Sequence, residues 1–198
     1  MVFEYPRGAH TRGHGPAGYK SYESYRPWLR DDFHFRCVFC MRREQWGLVL
    51  ASWDIDHFLP QSAALERALD YENLLYVCRT CNLLRSDSAV IDPCRVGLGE
   101  LVEVDGDGVI RPLNSLGAEL IQILRLDNHG HTRFGRMILR ILSAAKHQDP
   151  EAYAALVGYP ENLPDLGQLT PPGGNSRPEG IRNSCFVRRA RGELPETY

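Results

Sequence analysis

WDIDHFLPQS, residues 53–62, decides how the rest of the chain is read. Its first five residues include an aromatic and a β-branched side chain and read as a strand. The strand ends on an adjacent carboxylate and imidazole, Asp56 and His57, and Pro60 follows three residues later. Neighbouring strand residues point to opposite faces, so the pair can serve one site only if the backbone turns there. Three readings are open at this point: an accidental surface pair, two zinc ligands, or a general base beside a metal ligand.

Two C-x-x-C knuckles bracket this stretch: CVFC (Cys37, Cys40) and CRTC (Cys78, Cys81), with 37 residues between them. Together they can supply four thiolates to a tetrahedral zinc, with Zn–S distances of about 2.3 Å. A simple zinc ribbon spaces its knuckles by about 15–20 residues, so here a folded segment must lie between them. Four thiolates fill the coordination sphere, which makes the zinc structural and couples its binding to folding. Asp56, His57 and Asn82 are then left without a zinc role. Cys94 and Cys185 have no partner at ligand spacing and read as ordinary thiols. Paired knuckles of this kind belong to a reducing compartment. MVFEYPRGAH lacks the apolar core of a secretory signal, and no apolar run matches a bilayer, so a cytoplasmic protein without membrane contact is expected.

The residues left over suit a second, harder ion. A divalent cation such as Mg²⁺ takes oxygen ligands, which the Asp56 carboxylate and the Asn82 amide can provide. Asn82 directly follows Cys81, in the first turn of a helix expected to begin near Cys81 or Asn82. Histidine is the side chain suited to accept a proton from water near neutral pH. Asn73, opening NLLYVC, can hydrogen-bond backbone groups. Asp54 is either a partner of these ligands or an exposed carboxylate.

The series CVFC…DIDHFLPQS…ENLLYVCRTCNLLRSD resembles the HNH endonuclease family, the ββα-metal nucleases, over residues 36–92. The resemblance implies that His57 is the base activating water and that Asp56 and Asn82 hold a single Mg²⁺ or Mn²⁺. It implies that Asn73 fixes the loop orienting His57, and that cleavage leaves 5′-phosphate and 3′-hydroxyl ends. The chain departs from many members in two ways. QSAALERALDYEN, read as a loop with a short helix, stands where Gly-Gly is frequent, and Asn82 stands where His is frequent. Arg85 stands in place of a frequent Lys and can meet a phosphate with a fork of donors.

The expected architecture is α+β. A mobile arm covers residues 1–25, its His10 and His14 read as solvated. A zinc-stapled core covers 26–92, entered through a short helix in SYESYRPWLRDD and including a hairpin in WGLVLASWDID that bends near Ala51 and Ser52. A β-hairpin around DGDG and two helices follow over 93–150. A Pro/Gly-rich, basic tail over 151–198 reads as irregular. The second helix carries Phe134, Ile138, Ile141 and Leu142 on one side. Arg133, Arg136 and Arg140 lie on another, as a solvated face or a DNA contact. His129 and His131 read as a polar turn between the helices. Net charge is −2, so nucleic-acid affinity must come from local patches such as these arginines. The function expected is metal-dependent hydrolysis of DNA, duplex rather than RNA, in phage defence or restriction. The alternatives are a zinc-stabilised binding module without catalysis and an effector subunit contacting a protein partner through residues 115–147 and the tail.

Overall fold

The computed structural model describes residues 3–46 and 53–198. The bend expected near Ala51 and Ser52 falls outside them. A 3-10 turn, Tyr22–Tyr25, capped by the Ser21 hydroxyl, leads into helix α1, Arg26–Asp32. Pro27 sits in its first turn, where a missing N–H costs nothing. α1 buries Trp28 and Leu29 completely. His34 and Phe35 then take left-handed backbone angles, φ 51° and 56°, which turn the chain sharply into the first knuckle. Cys37 N–H donates to the Arg42 carbonyl (2.9 Å) and Met41 N–H to the Cys37 carbonyl (3.0 Å), closing a tight loop bridged between Arg36 and Arg43.

Strands β1, Trp53–His57, and β2, Leu74–Cys78, pair antiparallel, with Trp53 opposite Cys78 and His57 opposite Leu74. All five β2 residues are buried, as a strand between two layers requires. The Trp53 ring stacks on Tyr76, its diagonal cross-strand neighbour, at 5.1 Å. Helix α2, Arg79–Arg85, follows β2 without a linker and starts two residues before the expected position. Cys78 caps it, its Sγ accepting from Cys81 N–H. The connection from β1 to β2 carries two 3-10 turns, Leu65–Arg67 and Tyr71–Asn73, in place of the expected short helix.

The hairpin around DGDG forms as expected: β3, Val102–Val104, pairs with β4, Ile110–Pro112. Asp105 closes it by accepting from Asp107 and Val109 N–H, with Gly108 at φ +74°. Helix α3, Ser115–Leu124, is capped by Asn114 and packs on β4 and α2. Helix α4, His129–Gln148, starts earlier than expected because Asn128 caps it, so His129 and His131 lie in its first turn rather than in a loop. Ile138 and Leu142 are buried as expected. Ile141 is not: it is 43% exposed, beside the exposed Met137. The fold is thus α+β, with two small antiparallel sheets and helices. Among the described residues no helix is long and apolar enough to cross a membrane.

Both chain ends depart from the expected solvated arm and irregular tail. Tyr5 donates to the Phe39 carbonyl (2.8 Å), and His10 stacks on Phe33 (4.2 Å). His14 Nε2 lies 2.8 Å from Asp31, and both side chains are buried. Arg12, 6% exposed, donates to the Leu74 carbonyl and spreads over the Phe33 and Tyr71 rings. The tail carries α5, Pro150–Val157, α6, Glu179–Arg182, and α7, Cys185–Ala190. It returns to α1, where Cys185 N–H donates to Asp31 (2.8 Å). Glycines permit close backbone approach of both ends: a Cβ on Gly97 would collide with the Arg7 carbonyl, and one on the tail residue Gly180 with that of Gly13. Arg12→Ala should therefore cost about 2–3 kcal/mol, the worth of a buried charged hydrogen bond and its stem packing. Urea unfolding measures it, and a solvated arm would give no change.

Candidate active site and metal centre

The Sγ atoms of Cys37, Cys40, Cys78 and Cys81 all lie within 4.8 Å of one another, and every cysteine is a free thiol. Cys40 and Cys78 are 3.7 Å apart. A tetrahedron with bonds of about 2.3 Å has edges of about 3.8 Å, so this donor set fits zinc in size and chemistry. The electrostatics agree. Hydrogen bonds from the other three thiols drive Cys78 far down toward thiolate, while burial drives Cys37 up and contact with Cys37 and Cys40 drives Cys81 up. A cluster of thiols alone holds only part of the negative charge; a divalent cation lets all four ionise.

α2 leaves this cluster and lays one face against β1. Asn82 Nδ2 donates to Asp54 Oδ2 (3.0 Å), which orients the amide and leaves its oxygen uncommitted to that bond. Asp54 is therefore the partner of a candidate ligand; Arg79 approaches the same carboxylate at 3.7 Å. Asp56 is 6% exposed and meets Arg85 through Oδ2. Burial raises the Asp56 pKa, and the Arg85 charge and hydrogen bond are the largest opposing influences.

Arg85 corrects an expectation. It is fully buried and cannot reach a phosphate; its donors go to Asp56, the His57 carbonyl (2.9 Å) and the Phe58 carbonyl (2.5 Å). The residue clamps the end of β1 where the chain turns. A sequence shows a cation near Asn82 but not that helix α2 turns it inward, two residues beyond the exposed Leu83.

His57 is the last residue of β1, opposite Leu74, and the chain bends directly after it. Its Nε2 lies 2.9 Å from the Ala68 carbonyl, which can only accept, so Nε2 carries the proton and Nδ1 the lone pair. The Gln61 amide nitrogen sits beside the ring, 3.2 Å from Nε2 and 3.4 Å from Nδ1, and the edge-on Tyr22 ring packs at 5.0 Å. Asn73 is fully buried behind the loop: its side chain accepts from Leu59 N–H (2.8 Å) and donates to the Leu59 and Arg67 carbonyls. It ties down the segment that presents the Ala68 carbonyl.

Asp56, His57 and Asn82 line one open cleft of about 380 Å³. The two adjacent side chains thus share a cleft at the end of β1, where the chain bends after His57. Gln61, Leu83 and Asp87 share the cleft and were not singled out from the sequence; Asp87 accepts from the Ser62 hydroxyl (3.1 Å). Only the position of Gln61 within the quoted stretch could have flagged it. Arg133, Arg136 and Arg140 are exposed on α4 and do not line this cleft.

The family model described as HNH endonuclease matches residues 37–88. This segment is similar to the HNH endonuclease family. It runs from the first knuckle to just past α2 and contains all four cysteines and the three cleft residues. The HNH family comprises nucleases, so the match suggests nuclease-type chemistry for this segment. No curated protein matches the chain. Within the matched segment Arg85 and Asp56 form a buried ion pair. Arg85→Ala strands a buried carboxylate and should cost about 3–5 kcal/mol. Chemical denaturation of the variant measures this, and a loss under about 1 kcal/mol, typical of exposed pairs, would contradict the clamp.

Proposed function

We propose that the protein is a metal-dependent endonuclease that hydrolyses DNA phosphodiester bonds with His57 as general base. The observation supporting this most directly is the shared cleft in which His57, its Nε2 engaged by Ala68, keeps Nδ1 for water beside Asp56 and Asn82. Asp56, with Oδ2 on Arg85, and Asn82, with its amide nitrogen on Asp54, each have an oxygen to offer one Mg²⁺ or Mn²⁺. A bound divalent ion supplies charge stabilisation at the phosphate and the leaving oxygen.

In this reading Nδ1 accepts a proton from water as the water oxygen bonds to phosphorus. The bond from phosphorus to the 3′ oxygen breaks, and that oxygen takes a proton from solvent. The products are a 5′-phosphate and a 3′-hydroxyl. Asn73 acts on His57 through the loop rather than on the substrate. Arg133, Arg136 and Arg140 serve as phosphate contacts along the flanking duplex, which would make binding fall steeply with salt. A cytoplasmic role in phage defence or restriction, with or without a protein partner, completes the reading.

Incubation of supercoiled plasmid with Mg²⁺ or Mn²⁺ should give nicked or linear DNA, and a chelator should stop it. His57→Ala should lower the rate by about 10²–10⁴ with an unchanged melting temperature. Equal cleavage by His57→Ala would remove His57 as the base. Metal-independent DNA binding without any cleavage would favour a zinc-stabilised binding module instead.

A further inference from the structure

A second cleft shares no residue with the first. It lies between the N-terminal segment and the first knuckle and encloses about 420 Å³, within the range of about 300–1,000 Å³ common for small-molecule sites. Phe33 and Met41 are apolar lining residues, and Arg7, His10 and Arg36 bring cationic or polar groups to it.

Arg36 is the anomaly. Among the described residues it has no carboxylate within 4.0 Å and no side-chain hydrogen bond; its Nε is buried and unpartnered, and its guanidinium rests on the Tyr198 ring at 4.5 Å. Among the described residues Glu4 is the acidic side chain that borders the cleft. Arg36 is half-buried; across the knuckle bridge, Arg43 is buried and meets the Val157 carbonyl rather than a carboxylate. Proteins pair the charges they bury, because an uncompensated one costs several kcal/mol. His10 lines the same cleft, and its Nε2 is a second buried atom without a partner. Burial, then the neighbouring Arg12, push the His10 pKa down to about 3, so it offers a neutral hydrogen-bonding group at physiological pH. An unpaired guanidinium suits a phosphate, whose oxygens match its fork, and the neighbouring aromatic and apolar surface suits a sugar or base.

We infer that this cleft binds the phosphate of a nucleotide, with Arg36 gripping the phosphate and His10 hydrogen-bonding the same ligand over the Phe33 and Met41 surface. The site is separate from the nuclease reading and does not depend on it. The nucleotide is either free or the phosphorylated end of a strand.

Calorimetric titration of the full zinc-loaded chain tests this with 5′-AMP, adenosine, inorganic phosphate and a short 5′-phosphorylated oligonucleotide. 5′-AMP or the oligonucleotide should bind saturably, adenosine at least tenfold more weakly than 5′-AMP, and inorganic phosphate should compete. Whichever of the two binds more tightly identifies the source. Arg36→Gln should weaken binding at least tenfold without lowering the melting temperature, because it removes an uncompensated charge; Arg36→Lys should retain part of the affinity. His57→Ala should bind 5′-AMP like the parent. The inference is overturned if neither probe binds the folded parent, if Arg36→Gln binds as tightly as the parent, or if binding is lost in His57→Ala, which would put the phosphate in the other cleft.

Discussion

Four sulfur atoms drawn to within 4.8 Å of one another set the geometry of everything that follows. The cluster joins a tight loop after α1 to the junction of β2 and α2, two places 37 residues apart in the chain. Loop-closure entropy opposes such a contact, and the bonds of a metal ion are strong enough to hold it. Because Asn82 follows Cys81 directly, fixing the cluster fixes the first turn of α2. That turn places Asn82 against Asp54, and one turn later Arg85 against Asp56. A structural constraint thus becomes a functional one through the rigidity of a seven-residue helix.

The cleft is supported from two sides. On one, Arg85 directs its donors to a carboxylate and two carbonyls at the end of β1, so the bend that follows His57 is held by a buried charge. On the other, Asn73 binds the returning loop from within, and that loop delivers the Ala68 carbonyl to His57. The result is an imidazole on the cleft whose Nε2–H is held by the Ala68 carbonyl. Desolvation works against the ionised form of Asp56, and Arg85 works for it, so the clamp also bears on whether that carboxylate can meet a cation.

Much of this was legible in the sequence where spacing alone carries the information. The two knuckles, the strand ending in Asp-His and the DGDG turn are short-range signals, and each corresponds to the element expected. Burial was not legible. Arg85 reads as a phosphate contact because a sequence displays its charge and not its direction. Residues 3–16 and the tail read as solvated because Gly and Pro dominate their composition. Yet Tyr5, Arg12 and His14 anchor the first segment, and Cys185 returns the second to α1. Those contacts join residues more than 30 positions apart or couple groups across elements, and no local pattern encodes them. The start of α4 was available in principle: Asn128 is an ordinary capping residue three positions before the N–H it accepts.

The most direct measurement of the central claim is X-ray absorption at the zinc edge of the purified protein, together with its metal content. The account predicts one zinc per chain bound by four sulfurs at about 2.3 Å. A folded protein without zinc, or a zinc whose neighbours include nitrogen or oxygen, would contradict the sulfur clamp and the positioning that follows from it.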